Sequence, residues 1–160
     1  MGLYHTGQVC LSGHPVNSNA DQYVELNSRF CGRCGAASIT KCAACNAPIR
    51  GEYEVRGVVA VGFGWTPEGY CYNCGQPYPW TRDGIDAAAE LIDEAPDISA
   101  EVKKKLKDSL PDLTKDTARS QVAVSRFKRF LAKGGSAVAD GIQKIVISIA
   151  TEAVKKGLGF

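Results

Sequence analysis

Histidine and methionine are nearly absent from this chain of 160 residues, which holds two of the first and one of the second. With so few imidazoles, acid–base catalysis has little to draw on, and an enzyme is not the expected reading. Phosphate chemistry lacks its loop as well. There is no G-x-x-x-x-G-K-S/T segment, and Gly62-x-Gly64-x4-Gly69 has the wrong spacing for a dinucleotide turn and encloses Pro67. Long apolar runs are also missing. The longest lies near Ile145–Ala150, far too short for a bilayer and closely flanked by charge. No apolar run follows a basic start, so no export signal is expected.

Cysteine, by contrast, is concentrated. All seven fall before residue 75, in the half-sites Cys10-x3-His14, Cys31-x2-Cys34, Cys42-x2-Cys45 and Cys71-x2-Cys74. An odd number of thiols leaves a disulfide framework incomplete, whereas His14 supplies the missing donor beside Cys10. Eight donors in four close pairs make two tetrahedral zinc sites, one of three thiolates and an imidazole, one of four thiolates. The expected cofactor is therefore Zn2+, two per chain. Reduced, metal-free buried cysteines are the plain alternative, and they leave the spacing unexplained. Both sites close with four protein ligands, as structural zinc does; catalytic zinc keeps a position for water. Thiols of this kind without an export signal fit a reducing cytoplasm.

Three pairings of the half-sites are open. Sequential pairing joins the first with the second and the third with the fourth, across spans of 16 and 25 residues. Nested and cross-braced arrangements are the alternatives. Sequential pairing is preferred because it needs only local contacts.

Charge is informative when split by half. Residues 1–80 carry five basic and five acidic side chains, so seven thiolates and two zinc ions leave the loaded half near −3. Nucleic acid is therefore a partner that the ribbons do not favour, since phosphate contacts need a basic surface. In residues 81–160 the charges are segregated: Asp83 to Glu101 holds seven acids and no base, and Arg119 to Lys133 five bases and no acid. The basic stripe Arg119, Arg126, Arg129, Lys133 is a solvated helix face, or it pairs with the acidic segment within or between chains.

The first half reads as short strands and turns. Glu52 to Phe63 is the clearest strand candidate, and glycines at 13, 32, 35 and 75 sit in or beside the knuckles, where positive φ is often needed. Pro67, Pro77 and Pro79 argue against helix within 64–80. Phe63, Trp65, Tyr70, Tyr72, Tyr78 and Trp80 crowd the last knuckle, where they form the core of a small metal domain or a stacking surface. Arg50 is the best single polar contact candidate, with Glu52 as an alternative local partner.

The segments CLSGH (Cys10–His14), FCGRCGAASITKCAACNAPIRG (Phe30–Gly51), GVVAVGF and YCYNCGQPYPW (Tyr70–Trp80) resemble a family of bacterial zinc-ribbon proteins of unknown function. DTARSQVAVSRFKRFLAKGG resembles C-terminal helical segments in that family and in some bacterial abortive-infection proteins. The resemblance implies zinc ribbons, a bacterial setting and a role in anti-phage defence, and it transfers no enzymatic activity.

The second half is helical by period. Asp83 caps a helix with Ile85, Ala88, Ala89 and Ile92 on one face, ended by Pro96. Ser99 caps a second, with Val102, Leu106 and Leu110, ended by Pro111. A third runs from about Thr117 to Lys133 with Ala123, Val124, Phe127, Phe130 and Leu131 on its apolar side. Gly134-Gly135 stops it, and Ser136 caps a last helix reaching about Lys156. That helix has two apolar faces, one with Ile142, Ile145, Val146, Ile149 and Ala153, the other with Ile147, Ala150 and Val154. Burial in its own bundle, homo-oligomerisation and interfacial membrane insertion would each use them.

The expectation is an α+β chain: a double zinc ribbon of short β hairpins and knuckles over 1–80, then a helical domain of about four helices over 81–160. The expected role is a non-enzymatic interaction or assembly module. It would form a homo-oligomer through helices in 117–160 and present the ribbons to a protein partner. Nucleic-acid binding is the first alternative and a membrane-active last helix the second.

Overall fold

The computed structural model describes residues 2–58, 64–96, 98–132 and 137–160, with Ala137 in its backbone alone. The chain falls into two compact units, Met1–Trp80 and Thr81–Phe160.

Small antiparallel sheets make up the first unit. β1 (Leu3–Thr6) pairs with β5 (Arg50–Glu54), with Tyr4 opposite Tyr53 and Thr6 opposite Arg50 across a bulge. β2 (Gln8–Cys10) lies between β3 (Pro15–Asn17) and β4 (Ser38–Ile39). The strand expected over Glu52–Phe63 begins earlier and stops at Glu54; residues 59–63 lie outside the described residues. Gly51 is required where it stands, because a Cβ there would meet the Ser18 carbonyl oxygen at 1.9 Å. That close approach lets the Glu52 N–H donate to Ser18 O at 3.0 Å.

Strands this short bury little, and the core is correspondingly small: Val9, Ile49, Tyr78, Cys42 and Cys71, with Trp65 and Trp80 packed against them. Tyr78 and Trp80 stack at 4.6 Å. The aromatic crowd thus divides. Tyr78, Trp65 and Trp80 are core, Tyr72 is exposed, and Phe63 lies outside the described residues.

Among the described residues six helices make the helical part, where the sequence reading has about four. α1 (Pro79–Glu94) starts at a proline, against the expectation of no helix before residue 81. Proline is compatible with a first turn, where its missing N–H is unpaired in any case and its φ is already helical. α2 (Ala100–Lys107) is capped by Ser99, whose hydroxyl accepts from Val102 N–H at 3.4 Å. Pro111 opens the short α3 (Leu110–Leu113) instead of only ending its predecessor. α4 (Ala118–Leu131) begins at Thr117, whose N–H donates to Ser120 Oγ at 3.0 Å. The expected Gly134-Gly135 stop and Ser136 cap lie outside the described residues.

The last expected helix is two, α5 (Ala137–Ile149) and α6 (Glu152–Leu158). Thr151 interrupts it: its hydroxyl accepts from Val154 N–H at 3.3 Å and its own N–H donates to Leu113 O at 3.3 Å. The break turns Val154 inward. Val154 and Ala150, read in the sequence as part of a second apolar face, join Ile142, Val146 and Phe127 in the unit's own core. Burying a side chain such as Phe127 stabilises by roughly 2–3 kcal/mol, so this core dominates the unit's stability. Ion pairs are local: Lys107 with Asp93 at 2.7 Å and Arg119 with Asp112 at 3.2 Å. Arg126 donates to the buried Ser109 Oγ at 2.6 Å, so this part of the basic stripe meets a hydroxyl and not the acidic segment. Among the described residues, no helix is long and apolar enough to cross a membrane.

Candidate metal centres

Three of the four half-sites are copies of one turn. In each, the first cysteine's N–H donates to a carbonyl five residues on: Cys31 to Ala36, Cys42 to Ala47 and Cys71 to Gln76, at 2.8–2.9 Å. The residue after the second cysteine returns its N–H to the first cysteine's carbonyl and takes positive φ: Gly35 at 73°, Asn46 at 61° and Gly75 at 71°. Glycine suits that conformation, and asparagine is the side chain that tolerates it best. Gly32, also expected there, is not among the positive-φ residues. The Cys10–His14 turn is built differently. Gly13, at φ 85°, donates to Cys10 O at 2.8 Å, and the longer spacing accommodates the imidazole.

These turns bring all eight predicted donors into two clusters, Cys10, His14, Cys31, Cys34 and Cys42, Cys45, Cys71, Cys74, with the donor atoms of each within 4.8 Å of one another. The pairing is sequential. All seven cysteines are free.

Distances decide whether the clusters fit zinc. A zinc–sulfur bond of about 2.3 Å in a regular tetrahedron sets sulfurs about 3.8 Å apart, and sulfur and imidazole nitrogen about 3.6 Å apart. Cys10 Sγ lies 3.8 Å from Cys34 Sγ, Cys42 Sγ 3.8 Å from Cys74 Sγ, and Cys45 Sγ 3.7 Å from Cys71 Sγ. His14 Nδ1 lies 3.6 Å from both Cys10 Sγ and Cys31 Sγ. A disulfide would need about 2.05 Å, so the spacing is that of ligands around an ion.

Thiol acidity points the same way. Burial pushes Cys71 up, but N–H donors from Cys74 and Asn73 and the neighbouring thiols outweigh it and bring it to about 6. For Cys74, the Gln76 N–H favours the thiolate, but burial and the thiols of Cys45, Cys71 and Cys42 drive it up to about 12. In the other cluster, the Ala36 N–H and the Ser12 hydroxyl bring Cys34 to about 6, while burial raises Cys10. Thiolates crowded this closely repel, and a divalent cation removes the conflict. Backbone donors already aim at the sulfurs, His14 N–H at Cys10 Sγ (3.3 Å) and Arg33 N–H at Cys31 Sγ (3.4 Å). The Asn73 side-chain amide adds one to Cys45 Sγ at 3.6 Å. Tyr78 packs beside the second cluster, and burial followed by the Cys71 charge keeps its phenol neutral.

Two features of this unit were not foreseen. His5 is 5% exposed and clamped by carboxylates, with Nε2 2.7 Å from Glu54 Oε2 and Nδ1 3.3 Å from Asp21 Oδ2. The hydrogen bond to Glu54 outweighs burial and raises its pKa above 6.5. Arg50, in turn, pairs with Glu68 at 3.7 Å and not with Glu52, which is held by Ser18 Oγ (3.4 Å) and Asn19 Nδ2 (3.2 Å). Its guanidinium lies against two rings, 4.7 Å from the Tyr4 centroid and 4.1 Å from that of Tyr72.

Fold and donor geometry define a zinc-binding double-ribbon protein with a helical C-terminal part. The chain belongs to the bacterial family described as "Uncharacterized protein conserved in bacteria (DUF2321)", whose model matches residues 3–158. No curated protein and no solved structure matches it.

Proposed function

We propose that the chain is a non-catalytic, zinc-dependent protein-binding module whose contact surface lies on the zinc unit. One observation carries this reading. Among the described residues, 11 of the 14 exposed large hydrophobic side chains belong to Met1–Trp80, and only Val102, Val122 and Phe160 to Thr81–Phe160. Tyr23, Val24, Leu26 and Phe30 fall within eight residues, around a single helical turn, Val24–Leu26, that buries none of its own side chains. Exposed apolar and aromatic groups at this density mark contact surfaces. Zinc makes their exposure tolerable, because the metal and not these side chains stabilises the unit.

A non-catalytic role is supported by the donor sets. Each uses four protein ligands, which leaves no position for a reacting water. The remaining imidazole, His5, is buried between Asp21 and Glu54. Nucleic-acid binding is disfavoured by the charge near −3, to which the four-thiolate site contributes −2 and the site completed by His14 contributes −1. Self-association through 117–160 is not part of the proposal, since Ala150 and Val154 serve the unit's own core.

The test places a photo-crosslinking amino acid at Phe30, at Tyr53 and, as control, at the exposed Gln121 of the full chain in its host cell. The proposal expects discrete protein adducts from Phe30 and Tyr53, none from Gln121, and loss of the adducts after Tyr23→Ser with Leu26→Ser. Equal adducts at all three positions, or salt-sensitive capture of nucleic acid by the purified protein, would contradict it.

A further inference from the structure

Within that reading, which this inference rests on, Arg50 stands apart from the other cations of the zinc unit. It projects from β5 where Gly51 locks the strand against Ser18, and Tyr72, one of the rings against it, is fixed between the ligands Cys71 and Cys74. Tyr4, the other ring, also touches Tyr53 at 4.8 Å. Tyr53, Tyr4, Arg50 and Tyr72 therefore form one continuous surface. Tyr53, Tyr4 and Tyr72 are 51%, 48% and 44% exposed, and the Arg50 side chain 35%.

The guanidinium is held by its rings, and among the described residues its donors are underused. Among the described residues its one charged partner is Glu68, and 3.7 Å is beyond hydrogen-bond distance. A half-exposed pair at that separation contributes little and is readily exchanged. A planar fork already ordered by two rings is suited to accept a carboxylate in bidentate fashion.

We propose that Arg50 reads an aspartate or glutamate side chain of a protein partner, with Tyr4, Tyr53 and Tyr72 packing on the flanking residues and Glu68 as the internal competitor for the guanidinium. A side-chain carboxylate within a chain fits better than a chain end, because rings extend from Arg50 toward both Tyr53 and Tyr72. A polyanion is opposed by the negative charge of the loaded unit.

The test titrates the zinc-loaded full chain with the blocked peptide acetyl-Gly-Leu-Glu-Leu-Gly-amide, following the Arg50 Nε–Hε and tyrosine ring signals. Its Gln counterpart, that Gln peptide with a free C-terminus, and inorganic phosphate are the comparison probes. The Glu peptide should bind saturably and the Gln peptide about tenfold more weakly. Arg50→Lys, with zinc content unchanged, should weaken the Glu peptide about tenfold by losing the planar fork. Glu68→Gln should tighten it about threefold, a gain that a purely structural Arg50 would not produce. Equal binding of Glu and Gln peptides, indifference to Arg50→Lys, or shifts with phosphate or the free C-terminus in place of the Glu peptide would overturn the assignment. Persistent crosslinks at Phe30 and Tyr53 alongside such a result would remove Arg50's role while leaving the protein-binding reading intact. Loss of those crosslinks would remove both.

Discussion

His5 Nε2 lies 2.7 Å from Glu54 Oε2, a buried imidazole on the first strand held by a carboxylate on the last strand of the zinc unit. With Asp21 on the other ring nitrogen, both nitrogens face acceptors, an arrangement that needs both to carry protons. The folded pKa is accordingly raised above 6.5 by the Glu54 hydrogen bond, against the opposing effect of burial.

A pH dependence follows. A raised pKa means the folded state holds its proton more tightly than the unfolded one. The His5 contribution is therefore complete below about pH 6.5 and is lost as pH rises through the folded value. Denaturant midpoints of the zinc-saturated protein, taken from about pH 6 to pH 8.5, should show this as a difference between wild type and His5→Gln. The gap should be about 1–2 kcal/mol at the acid end and shrink toward the alkaline end. Comparison with the variant cancels the opposite effect of thiolate protonation on zinc binding. A gap that widens with pH would contradict the clamp.

The knuckles predict a contrast among small residues. Gly35→Ala and Gly75→Ala force a Cβ into positive φ and should each cost about 1–2 kcal/mol, read as weaker zinc retention against a chelator. Gly32→Ala should be near neutral, since it is not among the positive-φ residues and nothing lies within 4 Å of its would-be Cβ. Asn46→Gly should be neutral or slightly stabilising.

In the helical unit, Val154 and Ile147 should separate. Val154 is 2% exposed, and Val154→Glu should unfold the unit by burying an unpaired carboxylate. Ile147 is half-buried, and Ile147→Glu should cost less than about 1 kcal/mol. Thermal unfolding of both variants, followed by helical circular dichroism, checks this. Equal losses would contradict the turn of the chain at Thr151.

The parts legible in the sequence were those set by local chemistry. Donor spacing singled out all eight residues that the fold gathers into two clusters, and the preference for local pairing matched those clusters. Ser99 announced its helix because a cap acts within three residues, whereas Asp83, expected as a cap, lies inside α1 because the helix already begins at Pro79. Some signals were present and overlooked: Asn46 stands where Gly35 and Gly75 stand in the neighbouring knuckles, and Thr151 before Glu152 has the form of a cap inside an apolar run. Others could not be read. His5 meets Glu54 only because β1 pairs with β5 across 49 residues, and Arg50 finds Glu68 in place of the nearer Glu52 because Ser18 and Asn19 already hold Glu52. Tertiary pairing, not propensity, decides such contacts.

Chelation should divide the protein by unit. Removing zinc with a strong chelator should lose the tertiary signals of Trp65 and Trp80, which pack on the metal-bound core, while most helical circular dichroism survives because the helical core contains no metal ligand. Loss of both signals together would contradict an independent helical core.

The closed double site is the claim on which the rest depends, and zinc X-ray absorption of the purified protein, with metal content measured on the same sample, tests it most directly. Two zinc ions per chain are expected, with an average shell of about 3.5 sulfurs near 2.3 Å and about half a nitrogen near 2.0 Å per ion. One ion per chain, or an oxygen ligand from water in the fitted shell, would contradict the account.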